Sequence, residues 1–96
     1  MDTRSEILKY LKGSKESFAA RYGVSRIGLF GSAARDELLP GSDVDVIVDF
    51  ASPAFDEYMD LKFELEGAIG RPVDLVVSGS VKKRLAPLIA SQTVYA

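Results

Sequence analysis

The chain contains no cysteine and no histidine among its 96 residues. The lack of cysteine excludes disulfides, thiolate nucleophiles and zinc sites built on cysteine, and the lack of histidine excludes a Ser-His-Asp triad. Proton transfer in any reaction must therefore rely on Asp, Glu, Lys or Tyr. Among common hydrolytic and transfer reactions, magnesium catalysis with oxygen ligands fits this composition best.

Long apolar runs and a strong excess of charge are also missing. No stretch approaches the ~20 apolar residues that span a bilayer, and the segment after Met1 lacks the apolar part of a signal peptide. The net charge is −2, so we expect no direct nucleic-acid partner, and the short basic run Lys82-Lys83-Arg84 does not change this. We expect a cytoplasmic protein with a single domain over residues 1–96.

Three segments have the apolar spacing of helices. The first follows Thr3-Arg4-Ser5-Glu6, which fits a capping box, and ends at Gly23. The second follows Ser52-Pro53 and ends at Gly70. Its apolar residues are expected to form one helical stripe and are Phe55, Tyr58, Leu61, Leu65 and Ile69. The third covers Ser80 to Ala90, where Pro87 is expected to kink or split the helix.

Apolar and β-branched runs predict the strands. They are Arg26–Phe30, Val44–Phe50, Pro72–Val77 and a short final strand, Thr93–Tyr95. A loop over residues 31–42, with a short helix near Ser32, joins the first two strands. The alternation of elements predicts an α/β (α+β) domain in which helices pack against a small mixed β-sheet.

Asp43 and Asp45 flank Val44 at the start of the second strand. Because side chains alternate along a strand, both carboxylates are expected on one face, a few ångströms apart. Two carboxylates this close repel each other, and a divalent ion is the usual remedy. The alternative is a turn position for Asp43 and a solvent-facing position for Asp45. The apolar run around Asp45 weighs against that alternative, since Asp is disfavoured in an inner strand.

Asp74 lies within the next apolar strand, on the face opposite to Val73, Leu75 and Val77. If this strand neighbours the one that carries Asp45, three carboxylates converge. Two metal ions ~3.5–4 Å apart would relieve their repulsion and clamp a phosphate oxygen. The alternative is a solvated Asp on an edge strand.

Gly31 and Ser32 follow the first strand directly. The N–H groups of a helical turn can hold a phosphate, glycine allows the backbone to approach it, and Ser32 can donate its hydroxyl. Arg35 is a candidate phosphate contact, and Ser42 is a minor candidate for the same nucleotide site that is expected to cap or orient the loop. The alternatives are an ordinary turn and a solvent-exposed arginine. Beside the acidic pair, these residues predict an enzyme that acts on a nucleoside triphosphate.

The segment from Gly31 to Asp45 reads Gly-Ser, ten residues, Asp-X-Asp. It resembles the signature of the nucleotidyltransferase superfamily related to DNA polymerase beta, and the chain length and strand ending resemble its minimal nucleotidyltransferase (MNT) group. The resemblance extends from the N-terminal helix through the Asp74 strand. It implies a polymerase beta palm-like fold and transfer of a nucleoside monophosphate from a triphosphate to an acceptor hydroxyl, with release of pyrophosphate.

By motif position, the resemblance implies that Gly31 and Ser32 hold the triphosphate and that Asp43 and Asp45 bind two Mg²⁺ ions. Asp74 matches the third carboxylate, which helps bind the catalytic metal and receives the acceptor proton. The resemblance also implies ATP as donor. Many minimal members are antitoxins that add AMP to a tyrosine of a helical HEPN ribonuclease toxin. For this chain a homo-oligomer and a hetero-oligomer both stay open.

Asp36 departs from the glycine that usually follows the arginine in this family, and it adds negative charge near the phosphates. Two alternatives to a protein adenylyltransferase stay open, and the Asp36 departure favours the first. One is a non-catalytic module that neutralises its partner by binding. The other is transfer to a small aminoglycoside-like acceptor, although the chain is too short for a separate acceptor domain.

Overall fold

The computed structural model describes residues 1–52, 55–78 and 92–96. In chain order its elements are α1 (Arg4–Tyr22), β1 (Val24–Phe30), α2 (Gly31–Ala34), β2 (Val44–Phe50), α3 (Phe55–Ile69), β3 (Val73–Val77) and β4 (Val94–Tyr95). The helix expected over Ser80 to Ala90, with Pro87 and the basic run, lies outside the described residues, as does Pro53. No helix within the described ranges has the length and apolar character needed to cross a membrane.

The four strands form one mixed sheet in the order β3-β2-β1-β4. β1 pairs antiparallel with both β2 and β4, whereas β2 pairs parallel with β3. A parallel pair requires a crossover connection, and α3 provides it between β2 and β3. The mixed sheet with packed helices confirms the predicted α+β class, and β2 is an inner strand as predicted.

The two faces of the sheet differ in chemistry because side chains alternate along β2. Val44, Val46 and Val48 are fully or almost fully buried. They join a core cluster with apolar residues of the two long helices: Ile7, Leu11, Phe18, Leu61, Leu65 and Ile69. The intervening residues of β2, with Asp45 and Asp49 among them, therefore occupy the opposite side, which we call the carboxylate face.

Most element boundaries follow the sequence signals. Thr3 is the N-cap of α1, and its hydroxyl accepts a hydrogen bond from the Glu6 N–H at 3.2 Å. Gly23 ends α1 with a φ of 71°. β1 begins two residues earlier than predicted because the buried Val24 still pairs with Phe50 beyond a register irregularity.

The β3 and β4 strands are each one residue shorter than predicted. β3 begins at Val73, after Pro72, which has no N–H to donate to a ladder. β4 begins at Val94 and pairs with β1.

The predicted apolar stripe of α3 faces the core in its second half, and Phe55 at its start lies off it. Leu61, Leu65 and Ile69 are buried, and Tyr58 is half-buried with its hydroxyl donating to the Leu75 carbonyl. Phe55 is 77% exposed, so it does not share the buried face of the stripe. Leu61 lies six positions after Phe55, which places the two about 120° apart around a helix of 3.6 residues per turn.

Candidate active site

Asp45 and Asp74 are directly opposed on the neighbouring parallel strands β2 and β3. On the other side of the sheet, the flanking pairs of this register, Val44 with Val73 and Val46 with Leu75, are buried. Both aspartates therefore belong to the carboxylate face. The alternative, a solvated Asp on an edge strand, also applies in part, because β3 is an edge strand and Asp74 is exposed. The structure nevertheless places it beside Asp45.

The electrostatics of Asp45 reflect this crowding. Burial raises the pKa of Asp45, and the negative charges of Asp74 and Asp43 raise it further, whereas Arg35 lowers it. Asp45 is half-buried, while Asp43 and Asp74 are exposed. The half-buried acid is therefore costly to ionise unless positive charge lies nearby.

The donor set suits a hard divalent cation, since carboxylate oxygens are the ligands that Mg²⁺ prefers. A cation between Asp45 and its acidic neighbours would offset the repulsion that raises the pKa of Asp45. As the side chains of the described residues are arranged, no group of three or more acids is placed to hold a metal ion. The pair of Mg²⁺ ions stays a prediction.

Gly31, the first residue of α2, lies against the same carboxylate. Its neighbour Phe30 pairs with Asp45 across the β1–β2 ladder. Gly31 has a φ of +62°, and a Cβ added to it would collide with Asp45 Oδ2. Only glycine meets both conditions without strain. The two ends of the Gly-Ser and Asp-X-Asp signature are thus in contact in space.

The predicted helical turn after Gly31 is present as α2. The Arg35 N–H donates to the Gly31 carbonyl at 3.2 Å, and the Glu37 N–H donates to the Ser32 carbonyl at 2.9 Å. Ser32 is half-buried at this turn. Its role in holding a phosphate, together with that of Gly31, stays a prediction.

The two minor candidates have partners within the protein. Arg35 is exposed, and its Nε donates to Glu37 Oε2 at 3.1 Å. The Ser42 hydroxyl accepts from the Leu39 N–H at 3.1 Å, and the Ser42 N–H donates to the Leu39 carbonyl at 2.9 Å. Ser42 therefore closes the turn that leads into Asp43. A direct phosphate contact by Arg35 or Ser42 stays a prediction.

Sequence reasoning missed Arg71, whose side chain is 9% exposed beside the same turn. Its hydrogen bonds reach residues that lie between 29 and 70 positions away in the chain. Its neighbours Gly70 and Pro72 indicate the end of a helix and the approach to a strand. They give no indication of the distant residues that Arg71 contacts.

Two surface depressions lie apart from the acids. One of about 190 Å³ is bordered by α1 and the start of β1, including Lys15 and Arg26. The other, of about 600 Å³, is bordered by Met1 and by α1 residues including Tyr10. The candidate site is therefore identified by strand register and charge, and neither depression contributes to its assignment.

Comparison with known proteins gives a consistent result. A family model for the nucleotidyltransferase domain matches residues 11–95. The chain is 38% identical over 96 residues to protein adenylyltransferase MntA of Thermococcus cleftensis, which covers 99% of this chain and 97% of that relative.

Solved structures share the fold. One that is described as a minimal nucleotidyltransferase superposes with a TM-score of 0.74 at 32% identity, covering 91% of this chain and 93% of its own. A chain from the complex of tri-AMPylated HEPN toxin with MNT antitoxin of Shewanella oneidensis superposes with a TM-score of 0.69. Its identity is 20%, over 97% of this chain and 71% of its own.

Proposed function

Because the chain belongs to the nucleotidyltransferase domain family, we propose that it transfers AMP from ATP to a hydroxyl of a partner protein in a Mg²⁺-dependent reaction. The proposed acceptor is a tyrosine of a HEPN-type toxin, for which this chain is the antitoxin. The similarity to MntA supports a protein acceptor. The shared fold with a chain of the Shewanella toxin–antitoxin complex supports the type of partner. A cytoplasmic location, a single domain over residues 1–96 and the oligomeric state stay predictions.

One observation carries this proposal. Asp45 lies opposite Asp74 and its carboxylate approaches the α-carbon of Gly31. The acids suited to Mg²⁺ and the turn suited to phosphate are thus adjacent, as the transfer of a nucleotide from a metal-bound triphosphate requires.

In the proposed reaction, the acceptor oxygen forms a bond to the α-phosphorus of ATP. The bond from that phosphorus to the bridging oxygen breaks, and pyrophosphate leaves. The Gly31 backbone and the Ser32 hydroxyl bind the triphosphate, and Asp43 and Asp45 hold the metal. Charge neutralisation at the phosphate oxygens is what bound Mg²⁺ supplies. Asp74 takes the proton from the acceptor hydroxyl.

The exposure of the acids favours a large acceptor. Asp43 and Asp74 are both exposed. A tyrosine carried by another protein can therefore approach them from solvent.

The test is incubation of the protein with labelled ATP, Mg²⁺ and the product of its neighbouring gene. We expect label on that partner, with the modified residue mapped to tyrosine by mass spectrometry. The double variant Asp43→Asn/Asp45→Asn should remain folded and transfer no label. Asp49→Asn is the matched control because Asp49 lies on the same face at the other end of β2, paired with Arg26 at 2.9 Å. That control should transfer at the native rate.

Three results would contradict the proposal. Transfer by the folded double variant at the native rate would overturn the assigned acids. A tight complex without label would favour the non-catalytic binding module. Label on an aminoglycoside and none on the partner protein would favour the small acceptor.

A further inference from the structure

Arg71 connects α3 to β3, and most of its charged side chain is removed from solvent. Its side chain is 9% exposed. Gly70, with a φ of 77°, precedes it and Pro72 follows it, so its backbone direction is closely defined. Burying a guanidinium removes its hydration, which makes the identity of its partners informative.

Every nitrogen of the Arg71 guanidinium donates a hydrogen bond. Nη1 donates to the carbonyls of Leu39 at 2.7 Å and Ser42 at 3.2 Å. Nε donates to the Met1 carbonyl at 3.1 Å, and Nη2 donates to Asp2 Oδ1 at 2.9 Å. The planar fork thus joins the turn before Asp43 to the N-terminal segment, which the single nitrogen of a lysine cannot do with the same geometry.

These bonds constrain the backbone on both sides of Asp43. On the N-terminal side, the Ser42 carbonyl is bound by Arg71. On the C-terminal side, the Val44 N–H donates to the Pro72 carbonyl at 2.9 Å. Two consecutive residues, 71 and 72, therefore hold the two neighbours of Asp43. Asp74 follows only two residues later, so the same short segment fixes the relative positions of Asp43 and Asp74.

We propose that Arg71 is a positioning residue for the acids at 43, 45 and 74, and that it thereby sets the affinity of the protein for a divalent cation bound to ATP. The inference rests on the proposed function in one respect, namely that these acids bind a metal–nucleotide complex. The described hydrogen bonds of Arg71 reach backbone carbonyls and Asp2, so its effect on the acids is transmitted through the backbone of residues 39–44.

The test compares binding of Mn²⁺–ATP, followed by the electron paramagnetic resonance of Mn²⁺, in the full chain and its variants. Arg71→Met keeps an unbranched apolar stem and removes the guanidinium, and Arg71→Lys keeps the charge. Arg21→Met is the matched control, because Arg21 also makes a two-nitrogen contact, with Glu64 on α3, on the helix side of the sheet. Thermal unfolding of each variant is measured in parallel.

We expect Arg71→Met to weaken Mn²⁺–ATP binding by about 10- to 100-fold, the usual effect of removing a residue that orients metal ligands. Arg71→Lys should restore only part of this loss. Arg21→Met should bind within about two-fold of native, even where its unfolding temperature falls as far as that of Arg71→Met.

The outcomes separate this inference from the proposed transfer. If either folded Arg71 variant binds Mn²⁺–ATP as tightly as native, Arg71 only stabilises the fold and the inference is overturned. If Arg71 variants bind weakly but the native protein labels no acceptor, the positioning role stands and the transferase proposal fails. If the native protein does not bind Mn²⁺–ATP, both are overturned.

Discussion

Asp36 Oδ1 accepts a hydrogen bond from the backbone N–H of Arg4 at 2.9 Å. Asp36 has a φ of 58°, in the left-handed region that Asp tolerates better than most residues. Its carboxylate binds the first residue of α1, at the end of the helix where the dipole favours negative charge. Asp36 therefore keeps the backbone turn that a glycine would make and uses its charge to anchor α1, which weakens the sequence argument for a non-catalytic module.

The first prediction separates the backbone role of Asp36 from its charge. Asp36→Ala should lower the free energy of unfolding by about 1–2 kcal/mol, because alanine strains the left-handed backbone and removes an acceptor at a helix N-terminus. Asp36→Asn should be nearly neutral. Asp36→Gly should transfer AMP within a few-fold of the native rate. Urea unfolding and the labelling assay measure these effects, and a tenfold faster Asp36→Gly would show that the charge acts on the phosphates.

The limits of sequence reasoning are visible at particular residues. The bounds of β2 were predicted as observed because the β-branched run is a local signal. The face of Asp74 was predictable from alternation, but its opposition to Asp45 depends on which strands pair, and that is a tertiary property.

The same distinction applies to Gly31 and Arg71. A phosphate role was inferred for Gly31 from its neighbours, whereas its contact with the Asp45 carboxylate depends on the β1–β2 register. Arg71 carried no local signal because its partners lie at Leu39 and Ser42 and near the N-terminus.

A second prediction concerns pH and the contact between α1 and α3. Arg21 donates two hydrogen bonds to Glu64, and the Tyr22 hydroxyl donates a third at 2.7 Å. The Arg21 bond lowers the pKa of Glu64 below its ordinary value of 4.5; burial opposes this, and the Tyr22 bond adds to it. The folded protein thus binds a proton at Glu64 less tightly than the unfolded chain does. The stabilisation by the ionised Glu64 carboxylate is therefore present above pH 4.5 and is lost as the pH falls through the lowered pKa.

Urea unfolding of Glu64→Gln tests this sign. The variant should be less stable than native at pH 7, and the difference should shrink below pH 4.5, the ordinary value for this carboxyl. Glu16→Gln, at an exposed position of α1, is the control and should show little difference at either pH. If the loss of unfolding free energy in Glu64→Gln is the same at both pH values, the stabilisation does not come from the ionised Glu64 carboxylate.

A third prediction uses two glycines with similar backbone angles. Gly31 and Gly23 have φ values of +62° and +71°, but only the first faces a side chain, that of Asp45; the space at Gly23, at the end of α1, is open. Alanine should strain the backbone at both positions by about 1–2 kcal/mol. Only Gly31→Ala should also displace the Asp45 carboxylate, and we expect its Mn²⁺–ATP affinity to fall at least tenfold while that of Gly23→Ala stays near native. Equal affinities in the two variants would contradict the role of the Gly31–Asp45 contact.

The last prediction follows from the opposition of Asp45 and Asp74. Burial and the two neighbouring acids raise the pKa of Asp45, so ionising it costs more free energy in the metal-free folded protein than in the unfolded chain. Asp45→Asn should therefore raise the free energy of unfolding in the presence of EDTA, by about 0.2–1 kcal/mol for a pair of like charges on adjacent strands. With Mg²⁺ and ATP in excess the order should reverse, because only the native protein gains stability from the bound ligand. A variant that is less stable than native in EDTA would show that Asp45 is held by favourable contacts, and the repulsion on which the metal assignment depends would be absent.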